Sequence, residues 1–196
     1  MSELKRSQVT TKRGDQGQTT TLGGDDVAKS HVVIECTGAV DELRAQTALV
    51  RQVIRQTQPD GPQSIDAFLL WLLHTYFVIG TACSDPLNKH PEYRVVELSQ
   101  KHIDALEDFQ ARLEKQVTLP KQFIVSATNP AAAQMDVVTT IARRLERRVV
   151  RLKEAYPEFD SEAILVFLNR LSDTLFMLAR FLDGGTYQTV DYGVLA

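Results

Sequence analysis

Residues 10–26, TTKRGDQGQTTTLGGDD, place four glycines and five threonines beside Lys12 and Arg13. Glycines let backbone N–H groups close on an anion, hydroxyls donate further hydrogen bonds, and Lys12, Arg13 and Lys29 bring positive charge. The chemistry on offer is phosphate binding. The segment is not a P-loop, because G-x-x-x-x-G-K-[ST] is absent and no strand pattern precedes it. Composition alone leaves a mobile polar leader as the alternative.

A second constellation is ARRLERRVVRL, residues 142–152. At about 100° per residue, Arg143, Glu146 and Arg147 share one helical face, and Arg144, Arg148 and Arg151 form the neighbouring row. Such a face is either a solvated salt-bridged surface or an arginine fork for polyphosphate, with the glutamate fixing a rotamer. A third is FLNRLSD, residues 167–173, where Asn169, Arg170 and Asp173 lie within about one turn of an otherwise apolar helix. That group serves either helix-to-helix networking or ligand reading. Cys36 and Cys83 have no metal spacing, and His31, His74, His90 and His102 are scattered. No zinc or haem site is expected.

Five helices must position these groups. Val40, Leu43, Val50 and Ile54 mark the first, running to about Gln58, with Arg44, Arg51 and Arg55 on its flank. After QPDGP, Ser64 is expected to cap a second helix, with Asp66 at its positive end. This second helix is apolar nearly all round and is expected at the centre of the bundle. Val95, Leu98, Ile103, Leu106, Phe109 and Leu113 trace the third. The fourth runs from about Ala131 to Ala155 on Val138, Ile141, Leu145, Val149 and Leu152. The fifth is capped by Asp160 or Ser161, carries Ile164, Leu168, Leu171, Leu175 and Leu178, and ends at Gly184 and Gly185. The simplest assembly is an all-α, five-helix antiparallel bundle: a leader over residues 1–30, the bundle over 31–185 and a tail over 186–196.

The 196 residues, net charge of -3 and 24% charged content suit one soluble domain, and argue against binding nucleic acid through phosphates. The first ten residues lack the apolar core of a secretory signal, so a cytoplasmic location is expected. Residues 65–83 are about long enough to cross a bilayer, but Asp66 and His74 would be expensive there, which favours a buried bundle helix over a membrane span.

Together, TKRGDQGQTT with the following GG and Lys29, then GAVDEL, RRLERRVV and FLNRLSDTLFMLAR, resemble the PduO-type ATP:cob(I)alamin adenosyltransferases in order and spacing. The resemblance implies a five-helix bundle assembling as a homotrimer, with active sites between subunits. It implies transfer of the 5′-deoxyadenosyl group of ATP to cobalamin, with Mg²⁺ on the phosphates and an electron-donating reductase or cobalamin-dependent enzyme as further partner. By position it assigns ATP contacts to Thr11, Lys12, Arg13, Gly14, Thr19, Thr20, Lys29, Arg143, Arg144, Glu146, Arg147 and Asn169. Lys12, Lys29, Arg143 and Arg147 would stabilise the leaving triphosphate, and Phe123 would lie beneath the corrin and exclude a lower axial ligand. No catalytic serine, cysteine or general base is required, because Co(I) is itself the nucleophile.

The chain departs from that pattern in three places. Thr139 stands where the family usually has an arginine, expected to pair with the aspartate of VDEL, here Asp41. SATNP, residues 126–130, replaces a proline and glycine turn, and Asp136 replaces a common histidine. All three fall on the corrin side. A non-catalytic ATP- or cobalamin-binding carrier or regulator is therefore a second reading. A helical nucleic-acid binder is a third, disfavoured by charge and by the lack of interleaved aromatics.

Overall fold

The computed structural model describes residues 10, 12, 14–57 and 63–195, apart from the side chains of Ser126 and Leu195. Five helices dominate: α1 (Val32–Thr57), α2 (Gln63–Ser84), α3 (Gln100–Glu114), α4 (Pro130–Ala155) and α5 (Glu162–Leu182). Helix α4 packs between α1 and α5, α2 lies on α1, and α3 lies on α5. Phe68 of α2 stacks on Phe109 of α3 at 3.7 Å between ring centroids, and Trp71 meets Phe167 of α5 at 6.1 Å, closing the ring of helices.

The apolar stripes read from the sequence line one continuous core. Leu43, Val50, Leu145, Val149, Leu152, Leu168, Leu171 and Leu175 are fully buried. Helix ends follow local chemistry. Asn129 caps α4 by accepting the Ala132 N–H at 3.0 Å with Pro130 next in line, and Gly184 and Gly185 end α5 at φ 65° and 79°.

Three expectations are corrected. Ser64 lies inside α2, not at its cap. Val95 and Leu98 are not on α3 but in the preceding loop, Val95 exposed and Leu98 packed against the core. Asp85 fastens that loop, accepting N–H groups of Lys89 at 3.0 Å and His90 at 2.8 Å, while Arg94 donates to its carbonyl. The chain is thereby held out of helix until Ser99, which caps α3 jointly with His102. Finally, α4 and not α2 is the central helix. The outer side of α2 leaves Phe77 61% exposed and Leu70 also exposed, while Leu69, Leu72, Tyr76 and Ile79 face the core.

Two short antiparallel ribbons complete the fold among the described residues: β1 (Gln18–Thr20) with β2 (Asp26–Ala28), and β3 (Ile124–Ser126) with β4 (Gln188–Thr189). Period-2 patterning missed both, because strands of two or three residues carry no periodic signal.

Candidate active site

The arginines of α4 divide into two groups. Arg144 pairs with Glu42 and Arg148 with Glu35, both on α1, so that row ties two helices together. On the other side, Arg143, Glu146, Arg147 and Val150 share a groove of about 390 Å³ with Asn169, Ser172 and Asp173 of α5. Arg143 and Arg147 are exposed, and among the described residues no hydrogen bond or ion pair engages either guanidinium. Arg170 donates to Asn169 Oδ1 at 2.9 Å and to Glu107 at 3.1 Å, leaving the Asn169 amide nitrogen as donor. Two unpaired guanidiniums beside an oriented amide make a receptor for an anionic, hydrogen-bonding ligand.

The leader is a docked hairpin. Gly17 donates to the Gly14 carbonyl at 3.2 Å and Lys29 N–H to the Gly17 carbonyl at 2.8 Å, so the ribbon returns Lys29 to Gly14. A Cβ at position 14 would stand 2.8 Å from Lys29 Nζ, so only glycine seats that ammonium without displacing it. Lys12 has φ 61°, a left-handed backbone uncommon outside glycine. Thr19 is half-buried, and the Thr20 hydroxyl donates to Asp26 at 2.7 Å. Thr11 and Arg13 lie outside the described residues. Leu22 N–H donates to Ser84 Oγ at 3.2 Å, Lys89 pairs with Asp25 at 2.6 Å, and Gly23 sits against Asp85, fixing the hairpin to the end of α2.

Among the described residues, the end of the leader and the Arg143 set line separate grooves. Ser30, next to Lys29, lines a groove of about 580 Å³ with Glu35, Arg148 and Arg151, on the α1 side of α4. The Arg143 groove opens on the α5 side.

Phe123 precedes β3 and is 80% exposed, its carbonyl accepting the Val190 N–H at 2.9 Å. The following loop is fastened to α5: Thr128 donates its N–H at 2.8 Å and its hydroxyl at 2.9 Å to Asp183. Thr139 is buried, with its hydroxyl returned to the Met135 carbonyl at 2.9 Å. Among the described residues, the ion-pair partner of Asp41 is Arg44 of its own helix, at 3.4 Å. Asp136 pairs with Arg180 at 2.5 Å, yet burial outweighs that partner and raises its carboxyl pKa above the ordinary value. Sequence reading passed over Arg180 and Asp183. The available signal was a charged residue on the buried stripe of α5 with an opposite charge three residues later.

The family model for cobalamin adenosyltransferase matches residues 9–182, from the leader to the last turn of α5. The chain belongs to the cobalamin adenosyltransferase family. Among its relatives, a cobalamin adenosyltransferase of Cupriavidus metallidurans is 34% identical over 177 residues, covering 90% of this chain and 89% of the relative. A corrinoid adenosyltransferase of Mycobacterium leprae is 29% identical over 182 residues, covering 91% and 93%. A variant PduO-type ATP:corrinoid adenosyltransferase from Lactobacillus reuteri, solved with cobalamin and ATP, superposes with a TM-score of 0.81 at 25% identity, covering 93% and 96%. The all-α five-helix fold read from periodicity is the fold of these adenosyltransferases.

Proposed function

We propose that this chain transfers the 5′-deoxyadenosyl group of ATP to cob(I)alamin, giving adenosylcobalamin and triphosphate. The observation that carries the reading is the pair of guanidiniums, Arg143 and Arg147, without partners among the described residues and beside Asn169 in one groove. Co(I) attacks the ribose 5′ carbon with its own electron pair. The cobalt–carbon bond forms as the C5′–O bond breaks, and the departing pair stays on triphosphate. The protein must hold the 5′ carbon in line and meet the charge gathering on the leaving group.

Arg143 and Arg147 supply that charge from α4, and Asn169 and Glu146 orient the nucleotide and the guanidiniums. From the leader, Lys12, Lys29, Thr19, Thr20 and the backbone at Gly14 wrap the phosphates; Thr11 and Arg13, proposed as further contacts, lie outside the described residues. Arg144, though tied to Glu42, keeps the helix that presents Arg143 at a fixed rotation about its axis. Among the described residues no group of three or more His, Cys, Asp or Glu stands together to hold a metal. Mg²⁺ would enter with ATP and offset the charge of its phosphates.

Leader and arginine groove line different faces of one chain, so a complete site takes the leader of one copy and the groove of the next. The proposed arrangement is a homotrimer in the cytoplasm, fed electrons by a reductase. Exposed Phe123 then lies beneath the corrin and keeps a lower ligand off the cobalt.

The test is incubation of purified protein with ATP, Mg²⁺ and chemically reduced cobalamin, following adenosylcobalamin by absorbance. Product formation above the protein-free control is expected. Failure with ATP still bound assigns the chain to the carrier or regulator reading, which buried Thr139 and self-partnered Asp41 favour.

A further inference from the structure

Among the described residues Arg180 is one of the largest fully buried side chains, 1% exposed, and it brings a guanidinium into the core. Three partners meet it: Asp136 of α4 at 2.5 Å, Asp183 at 3.4 Å, and the ring of Phe176 at 5.3 Å. Ion pairing by a buried guanidinium, here to half-buried Asp136 and buried Asp183, is a poor way to gain stability, because desolvation cancels most of the attraction and a well-packed apolar side chain serves as well. What the triad supplies here is a fixed orientation for Asp183.

That orientation has a specific use. Asp183 Oδ1 accepts both the N–H and the hydroxyl of Thr128, and the Asn129 amide donates to the Leu182 carbonyl at 2.8 Å. The loop between β3 and α4 is thus fastened to the end of α5. The same end of α5 turns through Gly184 and Gly185 into β4, which pairs with β3. Both strands of the ribbon beside Phe123 therefore depart from one buried charge cluster. Among the described residues, Asp183 Oδ2, Arg180 Nε and the Tyr187 hydroxyl are buried there without hydrogen-bond partners, Asp183 Oδ2 facing Arg180 only as an ion pair, so the cluster is not saturated by the bonds the fold itself requires.

We infer that Asp183, oriented by Arg180 and Asp136, is a positioning residue for the corrinoid: it sets the seat of residues 127–129 and of the Phe123 ribbon. Corrinoid affinity depends on it, and nucleotide affinity does not. The inference rests on the adenosyl-transfer reading above.

Two positions test it. Asp183→Asn keeps shape but removes the charge facing Arg180. Thr128→Val, at an exposed residue, removes only the hydroxyl bond, and Thr128→Ser restores it. Calorimetric affinities for cobalamin and for ATP, KM for each substrate, and amide hydrogen exchange over residues 123–129 are measured on each full-length variant. Asp183→Asn is expected to weaken cobalamin binding about tenfold and Thr128→Val about threefold, with Thr128→Ser at the wild-type value. ATP affinity should stay within about twofold, and exchange over 123–129 should accelerate in Asp183→Asn. Losses shared equally by both substrates, unchanged cobalamin affinity, unchanged exchange, or Thr128→Ser behaving as Thr128→Val would each overturn the inference. A wild type that binds cobalamin but forms no product sinks the transfer reading alone, since binding and exchange still decide the role of Asp183. A wild type that binds no cobalamin sinks both.

Discussion

Arg143 and Arg144 are neighbours in sequence with different circumstances. Arg144 is held by Glu42, whereas Arg143 has no partner among the described residues. Arg143→Ala should lower turnover by at least about 100-fold, the cost of removing a preorganised donor to a developing anion. Its melting temperature should be unchanged, because the side chain supports nothing in the fold. Arg144→Ala should instead cost ~0.5 kcal/mol of stability, as exposed ion pairs do; paired activity assays and thermal melts separate the two. Phe123→Ala should impair reaction from Co(II) more than from pre-formed Co(I), and equal losses in the two assays would remove its proposed role beneath the corrin. Helical periodicity separated the two arginine rows. It could not tell which row would meet α1, because that depends on how the helices pack, and Glu35 and Glu42 lie about a hundred residues away in the chain.

Helices and ribbons were unequally legible. The long amphipathic helices announced themselves by repeated burial at three and four residues, and their observed bounds fall within a few residues of expectation, except at the start of α3. The hairpin β1–β2 did not, since its order comes from contacts with Ser84, Asp85 and Lys89 far along the chain. Gly23→Ala should unseat it, because the new Cβ would meet Asp85 Oδ1 at 2.8 Å. The ATP KM should rise several-fold, with the cob(I)alamin KM little changed and helical circular dichroism retained. Between α1 and α2, Arg55 and Arg51 hold the Asp66 carboxyl at about 2, below its ordinary value. A carboxylate with a depressed folded pKa stabilises fully above its unfolded pKa of about 4, and that contribution vanishes as pH falls toward about 2. Urea unfolding between pH 6 and pH 2.5 should show Asp66→Asn less stable by ~1 kcal/mol at the upper end, after allowance for solvent screening. The difference should shrink at the lower end.

At the scale of the whole molecule, the described chain is a bundle with unfinished faces. Helix α2 is long and apolar enough to cross a membrane by length and composition alone, yet Leu69, Leu72, Tyr76 and Ile79 pack into the core. Phe77 and Leu70 on its outer side, with Leu49 of α1 also exposed, leave apolar surface open to a partner. Light scattering on purified protein should give three times the 22.0 kDa chain mass, and a monomer would leave the leader and the Arg143 groove unable to meet. No stripe or spacing in one chain discloses such an assembly, because periodicity marks a face as apolar without naming what covers it.

The β3–β4 ribbon has a consequence for handling the protein. Phe123 and Val125 stand exposed on or beside a two-stranded edge, with Tyr192 and Val194 exposed in the turn that follows β4. Water wets such a surface poorly, and open strand edges invite further strands. Concentrated protein without corrinoid should therefore be prone to precipitation, and adding cobalamin to the buffer should extend its shelf life by shielding that edge.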